Sequence, residues 1–531
     1  MIDLSEGLLA GLLVAIAVAG FARWRGWGVA IPVVTAGVIV GLLPFGPSAP
    51  DDAGEVFLLI LAPLVFGEAL SGSYVDFRRF RRPIFALAVG LVIVSSVVVG
   101  AVATVLVPGL PLAMAFALGA ILSPTDAVAV ANIARRVALP RRVVTILEGE
   151  SLVNDGTGLT LLRVALAAAA AGTVSGGDIA LILFQSVVGG LAVGVGAGLI
   201  LAWVIRRGSD QTVANALVLI APFPVYYVAE EVGGSGILAV VATALIVANS
   251  MLTQQRFEGR RSSVAVWRQI TFILTAAAFF LVGLELPTTI LALPGEERLI
   301  LPALVVSVLL ALLITRMVFV MGYVLVSGHG DGRLGWREAV VLAWAGTRGP
   351  VSGLAAFSLP LGVGLEALVD QSRLLQATTF LVIAATLALS PTLGFVARAV
   401  RLQPDVLDED KRAVRAALAT RGLEALDEAV REAADRHDRL PPGVEEGLRL
   451  RLMAELHEGD NAAEDAQTVT DGHRLELAVL RAQQSELLRL REAGTPDAVV
   501  RPAMHDLDLQ LSALQGRRRE HRPPDSVAPT E

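Results

Sequence analysis

Up to about residue 402 the chain is one long apolar segment after another; beyond that point charged residues dominate. A helix that crosses a hydrocarbon layer of about 30 Å needs about 20 apolar residues. That rule predicts thirteen spans, at 6–22, 28–44, 54–74, 83–106, 111–134, 143–171, 178–205, 212–229, 235–252, 264–287, 298–326, 337–359 and 374–400. The pattern therefore predicts an all-α polytopic membrane domain over 1–402 and a water-facing helical tail over 403–531. The opening MIDLSE has no basic start, and the apolar stretch after it ends in Arg23 and not at a small-residue cleavage site, so it reads as a retained first helix and not a signal peptide.

Charge then orients the spans. Loops after odd-numbered spans carry Arg23 and Arg25; Arg78, Arg79, Arg81 and Arg82; Arg135, Arg136, Arg141 and Arg142; Arg206 and Arg207; Arg256, Arg260 and Arg261; Arg333 and Arg337. Loops after even-numbered spans carry only Arg298 and Arg373, among acids such as Asp51, Asp52, Glu230, Glu231, Glu296 and Glu297. Basic loops stay cytoplasmic. The N-terminus is therefore expected outside the cell's inner membrane and the tail inside.

Composition narrows the chemistry. Of 531 residues 54% are hydrophobic and 18% charged, against about a quarter charged in a typical soluble domain. There is no cysteine, so disulfides, thiolate metal sites and cysteine nucleophiles are excluded. His329 falls in a cytoplasmic loop and the other five histidines in the tail, which leaves none for the membrane domain.

Polar residues within the apolar spans are the candidates for function, because ionisable groups there are expensive. LEGESLVNDGTGL, 147–159, places Glu148, Glu150 and Asp155 in span six. Asp155 lies about 18 Å in from Val143 at helical rise, close to the bilayer centre. Glu150/Asn154 and Ser151/Asp155 are i,i+4 pairs and share one broad helix face. In SPTDAVAV, 123–130, Pro124 removes a helical donor and breaks span five, so that Thr125 and Asp126 offer oxygens beside freed carbonyls. GTRGPVSGL, 346–354, breaks span twelve around another intramembrane charge, Arg348. Spans five and twelve enter from opposite faces, and two interrupted helices in oppositely oriented halves mark an inverted-repeat transporter. Spans one to six and eight to thirteen form the halves. Every candidate ligand atom is oxygen, the kind a hard cation takes. Burial favours a neutral carboxyl while a bound cation favours the ionised one. One such carboxylate can hold a proton or a metal cation in turn, and exposing it alternately to each side exchanges one for the other.

SPTDAVAV, LEGESLVNDGTGL, FFLVGLEL (279–286) and AGTRGPVSGLA (345–355) together resemble the bacterial sodium/proton antiporters of the NhaP type, more distantly the eukaryotic exchangers. The resemblance spans most of residues 5–402. It implies a homodimer with a thirteen-helix inverted-repeat fold, in which Asp155 binds Na⁺ or H⁺ with help from Glu150, Ser151 and the Thr125 backbone. It also gives Asn154 and Asp126 a joint role at the crossing helices, implies electroneutral one-for-one exchange from the Asn-Asp pair, and leads to the expectation that Arg348 neutralises Glu150. Arg316 in span eleven is a competing partner. LAPLVFGEAL (61–70) departs from the family, where the acid follows the phenylalanine directly; with Gly67 intervening, no role carries over to Glu68.

The expected cargo is Na⁺ against H⁺, with Li⁺ or K⁺ as alternatives, and no cofactor and no nucleic acid. A cation channel is the first competing function, and a membrane-embedded hydrolase, for which no nucleophile and base pair is legible, is the second. The glycine-rich GGLAVGVGAG (189–198) has no strand before it and reads as a helix-packing surface, not a nucleotide loop. In the tail, 412–440 and 473–494 have helical periodicity, Pro441 and Pro442 separate two blocks, and RRREHRPPDSVAPTE reads as a disordered end. Arg163, toward the outer end of span six, is expected to snorkel.

Overall fold

The computed structural model describes residues 4–43, 57–71, 74–126, 139–171, 176–207, 211–252, 257–327, 334–360 and 366–402, with isolated stretches between 420 and 453. Regular structure among the described residues is helical throughout. Helices α1 (Leu4–Trp24) and α2 (Ala30–Gly41) precede α3 (Ala62–Ser71), which is entered through a π-helical turn, Phe57–Leu61. The short α4 (Tyr74–Arg79) leads into α5 (Arg81–Leu106), which carries a second π-helical stretch at Ala86–Leu91. Then come α6 (Leu112–Leu122), α7 (Arg141–Ala171), α8 (Gly176–Arg207), α9 (Gln211–Ile220), α10 (Pro222–Glu231) and α11 (Gly236–Leu252). The remainder is α12 (Phe257–Leu291), α13 (Gly295–Ser327), α14 (Trp336–Trp344), α15 (Pro350–Ala355), α16 (Glu366–Leu389) and α17 (Leu393–Ala399). Pro222 and Pro350 sit in the first turns of α10 and α15, where a missing N–H leaves no helical bond unmade.

The described parts of the expected spans are largely helical; among the described residues length and apolarity together qualify six helices, with five shorter apolar ones beside them. The other two segments fail for reasons tied to their chemistry. α7 is a continuous helix whose apolar run is broken by its carboxylates, and residues 337–359 are divided into α14 and α15. Around the outside, α13 exposes Val306, Leu310, Ile314 and Val318, one every fourth residue, and α8 exposes Phe184, Ile200 and Trp203. A continuous apolar stripe of this kind suits lipid and not water.

Inside, the apolar side chains form three cores. One gathers α1 to α3 with α9 to α12, through residues such as Phe66, Val225, Val240 and Phe280. A second joins α5, α6, α13 and α16 through Val99, Leu118, Leu304 and Phe380. A third lies under α14 and α17, around Leu342 and Leu393. Helix α7 runs through all three: Val143 and Ile146 belong to the third, Leu152 to the first, Leu161 and Leu162 to the second. Its polar residues 150–155 consequently sit where the cores meet. The glycine-rich run packs α8 on α11 as its composition predicts: a Cβ at Gly194 would lie 2.4 Å from the Ala239 carbonyl oxygen, and the Thr243 hydroxyl donates to Gly194 O at 2.9 Å.

The chain divides into two compact units, Met1–Asp405 and Val406–Glu531. In the second, 420–428 is helical and Arg449 pairs with Asp427 at 2.6 Å. The predicted helix over 473–494 and the RRREHRPPDSVAPTE end lie outside the described residues, as do Asp51, Asp52, Arg135, Arg136, Arg256, His329 and Arg333.

Candidate functional site

Two helix breaks meet beside α7. Helix α6 ends at Leu122 with Ser123 still at helical φ and ψ, and regular helix does not continue through Pro124–Asp126; 127–138 lie outside the described residues. Helix α14 ends at Trp344, and the chain is extended at Gly349 before α15 begins at Pro350. The two breaks hold each other by a reciprocal pair of bonds. Asp126 N–H donates to Thr347 O at 2.8 Å, and the Thr347 hydroxyl donates to Asp126 O at 3.0 Å. Backbone groups freed by one break are thus satisfied by the other, as burial requires.

Close approach at this crossing demands glycine. A Cβ on Gly349 would lie 2.4 Å from Asp126 Cβ and 2.6 Å from its Cγ. Gly349→Ala is therefore expected to push the Asp126 carboxylate aside and slow exchange on the order of tenfold to 100-fold. Initial rates in proteoliposomes, compared with the variant's thermal stability, check that the loss is one of geometry.

Two buried arginines cap the broken ends. Arg348 donates through Nε to Leu122 O at 2.8 Å and through Nη1 to Gly346 O, so it covers the C-terminal end of α6, where carbonyls lack helical donors and the helix dipole is negative. Arg316, on α13, does the same for α14, reaching Leu342 O from Nε at 3.2 Å and from Nη2 at 3.1 Å. Arg316 also grips Glu150 with both terminal nitrogens, Nη2 to Oε2 at 2.9 Å and Nη1 to Oε1. This corrects the expectation that Arg348 neutralises Glu150. Arg348 is committed to the carbonyls of the crossing, whereas Arg316 reaches α7 from the neighbouring helix. Both members of the Arg316–Glu150 pair are only 1% exposed.

From Glu150 the network runs back to the crossing. The Thr125 hydroxyl donates to Glu150 Oε1 at 2.9 Å, and Asn154 Nδ2 donates to both Thr125 O and Thr125 Oγ1 at 3.1 Å. The Asn154 amide oxygen is buried with no hydrogen-bond partner among the described residues. Asn154 is thereby tied to one side of the α6 break while Asp126 is tied to Thr347.

At the centre is a cavity of about 10 Å³, room for about one water molecule. Its polar lining is three carboxylates, Asp155, Asp126 and Glu68, and the hydroxyl residues Thr125, Ser151 and Ser352. The i,i+4 pair Ser151 and Asp155 faces it together, as the spacing on α7 predicts. Glu150 and Asn154 are not on the cavity wall; they stand behind it and hold Thr125. Glu148, seven residues before Asp155, lies on the same stripe of α7 but is exposed.

Glu68 is the residue the sequence reading passed over. Gly67 turns its own face to α12, where a Cβ would lie 2.4 Å from Thr271 Oγ1, while Phe66 stacks on Trp267 with centroids 5.0 Å apart. The next residue, about 100° further round the helix, then meets the cavity. An acid inside an apolar span was a signal in its own right.

Comparison with known proteins agrees with this architecture. The family model "Sodium/hydrogen exchanger, transmembrane" matches residues 10–397. An uncharacterized Na⁺/H⁺ exchanger of Mycobacterium tuberculosis is 31% identical over 95% of this chain and 96% of its own length. The sodium, potassium, lithium and rubidium/H⁺ antiporter of Bacillus subtilis is 32% identical over 62% of this chain and 51% of its own. Among solved structures, the sodium proton antiporter MjNhaP1 of Methanocaldococcus jannaschii superposes with a TM-score of 0.61 at 20% identity, covering 74% of this chain and 97% of that one. The chain belongs to the sodium/hydrogen exchanger family, a transmembrane cation/proton antiporter with the fold of the NhaP type.

Proposed function

We propose that Asp155 is the carboxylate at which a monovalent cation and a proton compete, and that exchange is one for one. The observation that carries this is the small cavity at the meeting of the three cores, walled by Asp155, Asp126 and Glu68 and by the oxygens of Thr125 and Ser151. An all-oxygen wall suits a hard monovalent cation, and room for about one water molecule suits a single, largely dehydrated ion. Asp155 and Ser151 contact the ion; the Thr125 carbonyl, held by Asn154, supplies a neutral oxygen; Asp126 and Glu68 complete the wall. Glu150 acts from behind by fixing Thr125, with its own charge matched by Arg316.

One-for-one stoichiometry is the reading that Asn154 and Glu150 favour, and it requires Asp126 and Glu68 to keep one protonation state through the cycle. Asn154 cannot carry a second proton, and Glu150 is committed to an ion pair. Sodium is the cargo we favour. The name of the Bacillus subtilis relative extends the range to potassium, lithium and rubidium. The ions are cargo and the cycle needs no cofactor. The exchanger crosses the plasma membrane thirteen times as a homodimer, with the arginine-rich loops and the tail in the cytoplasm, the arrangement the loop charges favour.

Proteoliposomes test the stoichiometry. Sodium-driven pH change is expected to be unaltered by an imposed membrane potential. Flux driven by the potential without proton movement would mean a channel, and potential-dependent exchange would mean unequal charges move.

A further inference from the structure

We infer that Arg163 and Glu230 form a latch that holds the ion-site helix α7 against α10 and α11 on the side away from the arginine-rich loops, and that this pair must part before the cavity can be reached from that side. The inference rests on the antiporter reading above.

Arg163 lies eight residues beyond Asp155 on α7, about 12 Å further along the helix. Its Nη2 donates to Glu230 Oε2, and its Nη1 donates to Gly234 O at 3.0 Å. The other oxygen of Glu230 accepts the Gly236 N–H at 2.9 Å. One carboxylate thus ties the end of α10, the start of α11 and α7 together. The turn it binds is itself fixed, since Ser235 N–H donates to Ser186 O on α8 at 2.8 Å.

The pair bridges a seam between packing units. Beside Arg163, Leu162 and Ala165 belong to the core of α5, α6, α13 and α16. Beside Glu230, Ala229 and Ile237 belong to the core of α1 to α3 and α9 to α12. The ion cavity lies on the same seam, with Glu68 on one wall and Asp155 on the other. One turn further along α7 a second void of about 10 Å³ has a mainly apolar lining, with Leu159, Ile121 and Val351 beside Ser352. The seam is narrow there: a Cβ on Gly156 of α7 would lie 2.4 Å from Leu238 Cδ2 of α11. An apolar layer and then an ion pair therefore close the route in this direction.

Exposure decides why this pair can open and the deeper one cannot. Arg163 and Glu230 side chains are 34% and 32% exposed, so water can replace each partner as they separate. Parting Arg316 from Glu150 would strand two buried charges. The first is suited to a moving contact and the second to a fixed frame.

The chain has no cysteine, so Leu159→Cys provides a single thiol between cavity and latch. Its labelling by a membrane-impermeant maleimide, applied to each face of oriented vesicles, reads access directly. Arg163→Gln and Glu230→Gln are each expected to raise labelling from the latch side about two- to fivefold, the factor an exposed ion pair of this kind supplies. The double variant should exceed neither single one, because both remove the same contact, and Arg163→Lys should stay near the unmodified rate. Unchanged labelling in folded single variants, additive effects in the double, or a rise from the arginine-rich face would each overturn the latch. Cation-driven pH change by the unaltered chain is measured alongside. Its absence would sink the antiporter reading, whereas its presence with unresponsive labelling would sink the latch alone.

Discussion

Proteoliposomes carrying Asp155→Asn are expected to show no sodium-driven pH change above protein-free vesicles, a loss of at least about 100-fold. The substitution keeps the shape and hydrogen-bonding capacity of the side chain and removes its charge and its titratable proton. Asp155 and Ser151 share one face of α7 and look into the cavity, so the variant cavity loses the one carboxylate that α7 supplies. Folding should survive, because Asp155 takes no part in the bonds that hold the breaks together; those run through Asp126, Thr347, Arg348 and Thr125. Retained thermal stability with lost exchange would assign the residue to ion handling. Retained exchange would move the competing carboxylate to Asp126 or Glu68, which share the cavity.

The second large effect is on stability. Arg316→Met leaves Glu150 as a buried charge with a hydroxyl donor but no counter-ion, and is expected to lower unfolding free energy by ~3–5 kcal/mol. Replacing both members, Arg316→Met with Glu150→Leu, should recover most of the loss, since an apolar pair of similar volume avoids burying charge at all. Arg348→Met with Glu150→Leu should show no such recovery, because Arg348 is bonded to Leu122 O and Gly346 O. Unfolding of these three purified variants and of Arg348→Met alone, followed by temperature or denaturant, gives the four values. Equal recovery from both double variants would return the pairing to the alternatives the sequence left open.

Much of this molecule could be read from residue order. Apolar run length and the alternation of arginine-rich and acidic loops give helical segments and a charge-based orientation, because the solvent for these segments is a layer of fixed thickness and the backbone must bond to itself within it. Pro124 and the Gly346–Pro350 stretch mark the breaks, because a missing N–H and a ring clash act locally. The i,i+4 spacing on α7 brings Ser151 and Asp155 to one surface for the same local reason.

What residue order alone did not determine was which long-range partners meet. Arg316 and Arg348 are both buried cations in apolar segments, and Glu150 is 166 residues from the one that binds it. Their assignment depends on which helix C-terminus each arginine caps, a property of how α6, α13 and α14 cross. Glu68 was invisible as a cavity residue because one inserted position, Gly67, turns the helix face, and only packing against Trp267 and Thr271 shows which face turns inward. Arg163, expected only to snorkel, reaches Glu230 because α7 packs on α11 and the turn between α10 and α11 carries Glu230 and Gly234 to it. Periodicity and breakers act within a few residues of one chain segment, so the sequence determined the helices, their breaks and the polar stripe of α7. Ion pairs and cavity walls depend on contacts between segments far apart in the chain, so the tertiary structure alone decided which charges neutralise one another and which carboxylates line the cavity.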